Sequence, residues 1–166
     1  MSSAVDHLLV VANQTLGSRR LADYLLARAA RTEISVHLLT PVARPQPIFW
    51  MEPWDAWTLP IEAELDSERL LLEEAAERLA CMREWLDARG IPQTGELAGP
   101  DPMAAIAEAV ASRTYSELVV SMLPPGLSRW LHMDLPHRAE RRFRLPVVSV
   151  VDDLSPRVWP RPLSRV

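Results

Sequence analysis

His-Leu-Leu-Val-Val-Ala-Asn-Gln-Thr-Leu-Gly-Ser, residues 7–18, decides the fold of this chain. It opens as an apolar run of strand length, breaks at Asn13-Gln14-Thr15, passes Gly17 and enters a helical pattern at Ser18. A second run, Leu-Pro-Val-Val-Ser-Val-Val at residues 145–151, is closed by Asp152-Asp153. Aliphatic runs without polar alternation read as strands buried on both faces, and such strands belong mostly to parallel sheets. In those folds ligands sit just beyond the carboxyl ends of the strands. The turn at residues 13–18 is therefore where function is first sought.

Between the two runs, strand and helix patterns alternate. Residues 18–31 predict a helix with an apolar stripe of Leu21, Ala22, Leu25, Leu26 and Ala29, capped by Ser18. Residues 34–40 predict a second strand, stopped by Pro41. A long helix over 61–89 carries Leu72, Ala76, Leu79, Met82 and Leu86 at helical spacing, and Gly90 supplies its stop. Residues 94–98 read as a third strand. Asp101-Pro102 then starts a helix that offers Met103, Ile106, Ala107 and Val110 to the core. Residues 116–122 form a fourth strand, and Pro124-Pro125-Gly126 leads through short helical material to the fifth. This order implies an α/β fold: a five-stranded parallel sheet with helices on both faces and right-handed crossovers, a Rossmann-like three-layer sandwich. The expected division is a domain over 1–153 and a Pro/Arg-rich tail over 154–166. In the tail, Pro156, Pro160 and Pro162 prevent continuation of the sheet and favour an extended path.

Residues 41–60 stand apart, with five prolines, three tryptophans (Trp50, Trp54, Trp57), Phe49 and Met51. The prolines forbid a continuous helix or a central strand. The expectation is that this segment covers an apolar surface, as a cover for the sheet edge, a subunit contact or a lid.

Composition sets outer bounds. At 166 residues the chain suits one domain that buries about 70% of its unfolded surface. A single cysteine, Cys81, excludes an internal disulfide and any multi-cysteine metal site, and its helical setting reads as a small core position. All 18 basic residues are arginine, a bias that points to a GC-rich genome, and the net charge of −4 gives no general attraction to nucleic acid. No basic residue precedes the first short apolar run, and no run reaches the ~20 apolar residues of a membrane span. A cytoplasmic protein with no membrane or nucleic-acid partner is expected.

Over residues 6–152 the chain resembles the universal stress protein family. In that family strand one ends in Asp-Gly-Ser/Thr with a Ser three residues further on, and Asn13, Gln14, Thr15 and Ser18 match those places. Gly99-Pro-Asp-Pro102, Glu117-Leu-Val-Val120 and Leu145-Pro-Val-Val148 resemble the lead-in to its third helix, its fourth strand and its last strand. The variant motifs resemble those of a divergent actinobacterial branch. Members that bind ATP carry Gly-x2-Gly-x9-Gly-Ser/Thr after strand four, where bare backbone and helix-start amides meet the phosphates. Here that stretch holds one glycine, Gly126, and Met133-Asp134 stands in the Gly-Ser/Thr place. A carboxylate at ~4 Å from a phosphate charge costs about 4 kcal/mol at an effective dielectric of ~20. Pro124 and Pro125 remove two further donors. The resemblance therefore implies a degenerate ATP motif and no cofactor, with room for a small anion or nucleotide. The candidate ligand residues between strands one and four are Asn13, Thr15, Pro41, Val42, Ser121, Gly126, Ser128 and Arg129. His132, His137 and Arg138 lie near them, and the arginines at 138, 141, 142 and 144 also read as a solvated helix face. The resemblance further implies a homodimer through the last strand, at Val147, Val148, Ser149, Val150 and Val151.

No catalytic or metal constellation emerges. His132 and His137 lack the i, i+4 spacing of a helical metal pair, and Ser121 lacks a Gly-x-Ser-x-Gly elbow. The expected function is a non-catalytic, dimeric stress-response or signalling module. A small-ligand sensor is the alternative, and a nucleotide-hydrolysing enzyme the third.

Overall fold

Leu8, Leu9, Val10 and Val11 are all fully buried, which makes β1 (Asp6–Val11) the centre of the sheet. Its side chains alternate between two cores, one on each face, because successive residues of a strand point to opposite sides. The computed structural model describes residues 5–44, 61–125, 127 and 134–159, with backbone alone for 61–65. The proline- and tryptophan-rich segment lies, but for residues 41–44, outside them.

The remaining elements are α1 (Arg19–Ala29), β2 (Ile34–Pro41), α2 (Ile61–Asp87), β3 (Gln93–Ala98), α3 (Pro102–Ser112), β4 (Glu117–Met122), α4 (Leu135–Phe143) and β5 (Val147–Val151). All strand pairs are parallel, in the order β3-β2-β1-β4-β5. Leu8 and Val10 meet Leu21 and Leu25 of α1 and Leu79, Met82 and Leu86 of α2. Leu9 and Val11 meet Met103 and Ile106 of α3 and Leu135 and Ala139 of α4. The expected sandwich is therefore present, with the first two helices on one face and the last two on the other.

Four expectations need correction. Leu72 and Ala76 of α2 face solvent; the buried stripe is Ala75, Leu79, Met82 and Leu86. Among the described side chains of α2, which start at Asp66, burial begins at Ala75. On α1, Leu26 lies at the margin of the stripe and is exposed, while Leu21, Ala22 and Leu25 are buried. On α3 the buried residues are Met103, Ala105, Ile106 and Ala109, with Ala107 and Val110 half-buried. Pro41, expected to stop β2, is its last paired residue, opposite Ala98.

Gly90 ends α2 at φ +68, a left-handed conformation that costs glycine little. Asp101 caps α3 as expected, its Oδ1 accepting from the amides of Met103 at 2.9 Å and Ala104 at 3.3 Å. Cys81 is half-buried, and burial, then Glu84 and Glu77, holds its thiol above the ordinary range, where a thiolate is scarce at neutral pH.

At the opposite end of the sheet from the β1–α1 turn, Tyr24 donates a hydrogen bond to Glu117. Arg28 reaches Asp6 at 3.1 Å and Glu117 at 3.5 Å. Burial, and then Glu117, pushes the Tyr24 hydroxyl up to about 12. A raised acid favours its neutral form in the fold. Its stabilisation is complete below the unfolded value of about 10 and is lost as pH rises towards 12. Urea unfolding at pH 9 and pH 11 is expected to show a loss on the order of 1 kcal/mol at the higher pH, after discount for solvent screening. Tyr24→Phe should shrink that loss; an unchanged loss would assign it elsewhere, for example to Tyr115, which burial also raises.

Candidate functional site: the crevice at the ends of β1 and β4

β1 is flanked by β2 on one side and β4 on the other, so the strand order reverses there and leaves a crevice at the carboxyl ends. The turn after β1 is built from two backbone bonds, Leu16 N to Asn13 O at 3.1 Å and Ser18 N to Thr15 O at 2.9 Å. Leu16 is fully buried beneath it and holds it down.

Two of the candidate ligand residues clasp this turn to the neighbouring strands. Asn13 donates from Nδ2 to the Pro41 carbonyl at 2.8 Å, and its Oδ1 accepts from the Arg78 guanidinium at 2.8 Å. An aspartate has no hydrogen to give Pro41, so the amide is what this contact requires. Thr15, buried, donates to the Ser121 carbonyl at 3.1 Å. Asn13, Thr15, Pro41 and Ser121 are thus brought together. Val42 is buried just beyond, its amide bonded to Ala98 O at 3.0 Å. Gly126, Ser128 and Arg129 lie outside the described residues, as does His132; His137 and Arg138 are exposed on α4.

Beside the clasp, the buried hydroxyls of Thr40 and Ser121 and the Nε of Arg78 have no hydrogen-bond partner among the described residues. Burial lowers the Arg78 pKa; Glu74 at 3.7 Å opposes this, and Arg157 adds to it. Arg78, on α2, was not anticipated from sequence.

The chain after β5 completes the crevice wall. Asp152 bonds its amide to Met122 O at 2.8 Å and buries its carboxylate fully. That carboxylate accepts from Ser18 Oγ at 3.1 Å, from the Leu154 amide at 3.1 Å and from Arg157 at 2.8 Å. Ser18 stands at the N-cap of α1, as expected, but its hydroxyl serves Asp152 and no helix amide. Val158 N donates to Gly17 O at 3.0 Å, and the Trp159 ring lies so close that a Cβ on Gly17 would meet it at 2.8 Å. Val158 and Trp159 pack against the core on the α1 and α2 side. Residues 154–159 have no helix or strand, yet they double back over the turn. Asp153, exposed, is held below the ordinary carboxylate range by its bonds to Ser155 and then by Arg20 at 3.1 Å. The pair Asp152-Asp153 at the end of an apolar strand was the available sequence signal, although that strand is an edge with only Val150 buried and not, as expected, covered on both faces; nothing local marked Arg157 or Trp159 as partners of Asp152.

Elsewhere, a cavity of about 530 Å³ opens between β3 and α3, lined by Ala98, Gly99 and the carboxyl-bearing Glu96, Asp101 and Glu108. That acidic rim opposes phosphate, so the crevice remains the better candidate. Among the described residues no group of three His, Cys, Asp or Glu is placed to hold a metal, and no helix is long and apolar enough to cross a membrane.

No protein-family model matches this sequence, and no curated protein matches it significantly. Solved structures do match. A universal stress protein family structure from Burkholderia pseudomallei superposes with a TM-score of 0.55 at 17% identity, over 87% of this chain and 95% of the other. One from Arabidopsis thaliana with AMP bound gives 0.57 at 15% identity, over 90% and 93%. The hypothetical protein MJ0577 gives 0.59 at 14% identity, over 90% and 98%. Sheet order, helix placement and these superpositions agree: this chain has the fold of the universal stress protein structures.

Proposed function

We propose that this chain is a non-catalytic, homodimeric stress-response or signalling module of the universal stress protein type, whose crevice does not take ATP in the usual way. The observation that carries this reading is the clasp. Asn13 spends its amide on Pro41 and its oxygen on Arg78, and Thr15 spends its hydroxyl on Ser121. A nucleotide would have to displace these bonds. Met133-Asp134 and the paired prolines Pro124 and Pro125 support the same reading from sequence.

A ligand at ~100 times its Kd stabilises by about 2.7 kcal/mol, which at ~2–4 °C per kcal/mol is a rise of roughly 5–10 °C in Tm. The expected rise with millimolar Mg-ATP is below ~1 °C; a rise of the larger size would overturn the proposal.

The dimer rests on the open edge of β5. The bonds Leu118 N to Pro146 O and Asp152 N to Met122 O fix the phase of that strand. Val148 and Val150 therefore turn their amides to β4, while Val147, Ser149 and Val151 turn theirs outward. Val151 is also an exposed apolar residue. An unpaired edge of this kind invites pairing with a second copy. Light scattering should find a dimer at micromolar concentration, converted to monomer by Ser149→Pro, which removes an outward donor. A wild-type monomer would refute it.

A second reading, a sensor of a small anion or nucleotide, is supported by the AMP carried by the Arabidopsis structure and by Arg78 beside the turn.

A further inference from the structure

Residues 152–159 cover the β1–α1 turn and bring it an anion, the Asp152 carboxylate. The Asp152 carboxylate rests against Ser18 at the amino end of α1, where the helix dipole favours negative charge. Its other oxygen holds Arg157 at 2.8 Å, close enough to Arg78 for the two cations to repel. The segment then closes on the backbone of Gly17 through the Val158 amide and the Trp159 ring. Opposing this closure, Leu154 adopts φ 61 and is 58% exposed, a left-handed conformation that side chains bearing a Cβ rarely hold. The closed arrangement thus combines a buried ion pair with a strained hinge.

We infer that residues 152–159 form an autoinhibitory strap, which occupies the β1–α1 turn with an internal carboxylate and must lift before a small phosphate-bearing ligand can reach Gly17, Ser18 and Arg78. This rests on the second reading above, that the crevice takes a small anion. Phosphate suits the vacated turn because it accepts from a hydroxyl and a guanidinium together, as Asp152 does now. Gly17 offers bare backbone there, which permits close approach. Binding and strap closure are then mutually exclusive, so ligand shifts the population towards the lifted state by its preference for that state.

Two single substitutions move the strap in opposite directions without altering a charge. Gly17→Ala places a methyl 2.8 Å from the Trp159 ring and 3.1 Å from the Arg157 stem, which pushes the strap off. Leu154→Gly removes the strain of the left-handed hinge and holds the strap down. A third variant ends after Ser155 and lacks Arg157, Val158 and Trp159 altogether. AMP and, separately, inorganic phosphate are titrated calorimetrically into the full-length chain and the three variants, with circular dichroism to confirm folding. In parallel, trypsin cleavage at Arg157–Val158 is followed by mass spectrometry with and without AMP.

The expected result is AMP or phosphate binding at least tenfold tighter to the shortened chain than to wild type and no tighter to Leu154→Gly, while Gly17→Ala reports strap release through cleavage alone, because its methyl also takes the room that Gly17 leaves for the ligand. Cleavage at Arg157 should be faster in Gly17→Ala, slower in Leu154→Gly, and accelerated in wild type by saturating AMP. Equal affinities across the series, or no binding of either probe by the shortened chain, would overturn the strap. If Gly17→Ala fails to fold, the shortened chain and Leu154→Gly still decide. Failure of the strap leaves the ATP proposal standing, because that one is refuted only by a Tm rise with Mg-ATP in the wild type.

Discussion

Replacing Leu9 with alanine is expected to destabilise the fold by about 3–5 kcal/mol, near the upper end for a buried leucine. Leu9 is fully buried in the central strand and belongs to the core formed with Leu39, Ile106, Leu118 and Val120. The size of the loss depends on how far the surroundings relax into the space left behind. Here they relax little. Both neighbouring strands are fixed in register with β1, which keeps them from closing on the space. At ~2–4 °C per kcal/mol the Tm should fall by roughly 6–20 °C. Val110→Ala, on a half-buried position of α3, is the control and should cost less than about 1.5 kcal/mol. Urea unfolding of both variants checks this; a Leu9→Ala loss no larger than the control's would mean that the core under α3 is not closely packed.

Asp152→Ala is the second large effect, expected at about 2–4 kcal/mol. The carboxylate accepts three hydrogen bonds, from Ser18, Leu154 and Arg157. Its removal leaves the Ser18 hydroxyl buried without a partner and Arg157 partly desolvated, at 32% side-chain exposure. The cost therefore comes more from the groups left behind than from the lost contact itself. Asp152→Asn keeps one acceptor for Ser18 or Leu154 while removing the charge that holds Arg157, and should fall between wild type and alanine. If Asn and Ala prove equally destabilising, the charge dominates; if both are within 0.5 kcal/mol of wild type, the buried pair contributes nothing and its assigned weight is wrong.

The architecture was legible because its determinants are local. Leu8 to Val11 and Leu118 to Val120 are apolar at every position, which only strands covered on both faces tolerate. Asp101-Pro102 and Gly90 mark a helix start and a helix stop through bonds that span two to four residues. The alternation of such signals fixes a parallel sheet with right-handed crossovers. Even here α2 departs from expectation at Leu72 and Ala76, which are exposed, while Leu79, Met82 and Leu86 are buried as expected. Leucine at helical spacing says which positions share a stripe, whereas the neighbours that the fold supplies say which of them are covered.

The candidate site was legible only in part, for the same physical reason. Sequence located the turn at 13–18 and named Asn13, Thr15 and Ser18. It did not show that Asn13 meets Arg78, 65 residues away, or that Ser18 meets Asp152, 134 residues away. Those partners are chosen by strand order and by the path of the chain after β5, neither of which leaves a local pattern. The sequence by itself therefore determined the elements, their type and their parallel pairing, since hydrophobic period and capping act over a few residues. Tertiary structure alone decided that the turn is clasped from both sides and covered by the chain's own carboxyl-terminal segment. A buried polar group must find a partner wherever the fold brings one, and only the assembled sheet brings Asp152 and Arg157 to Ser18 and Gly17.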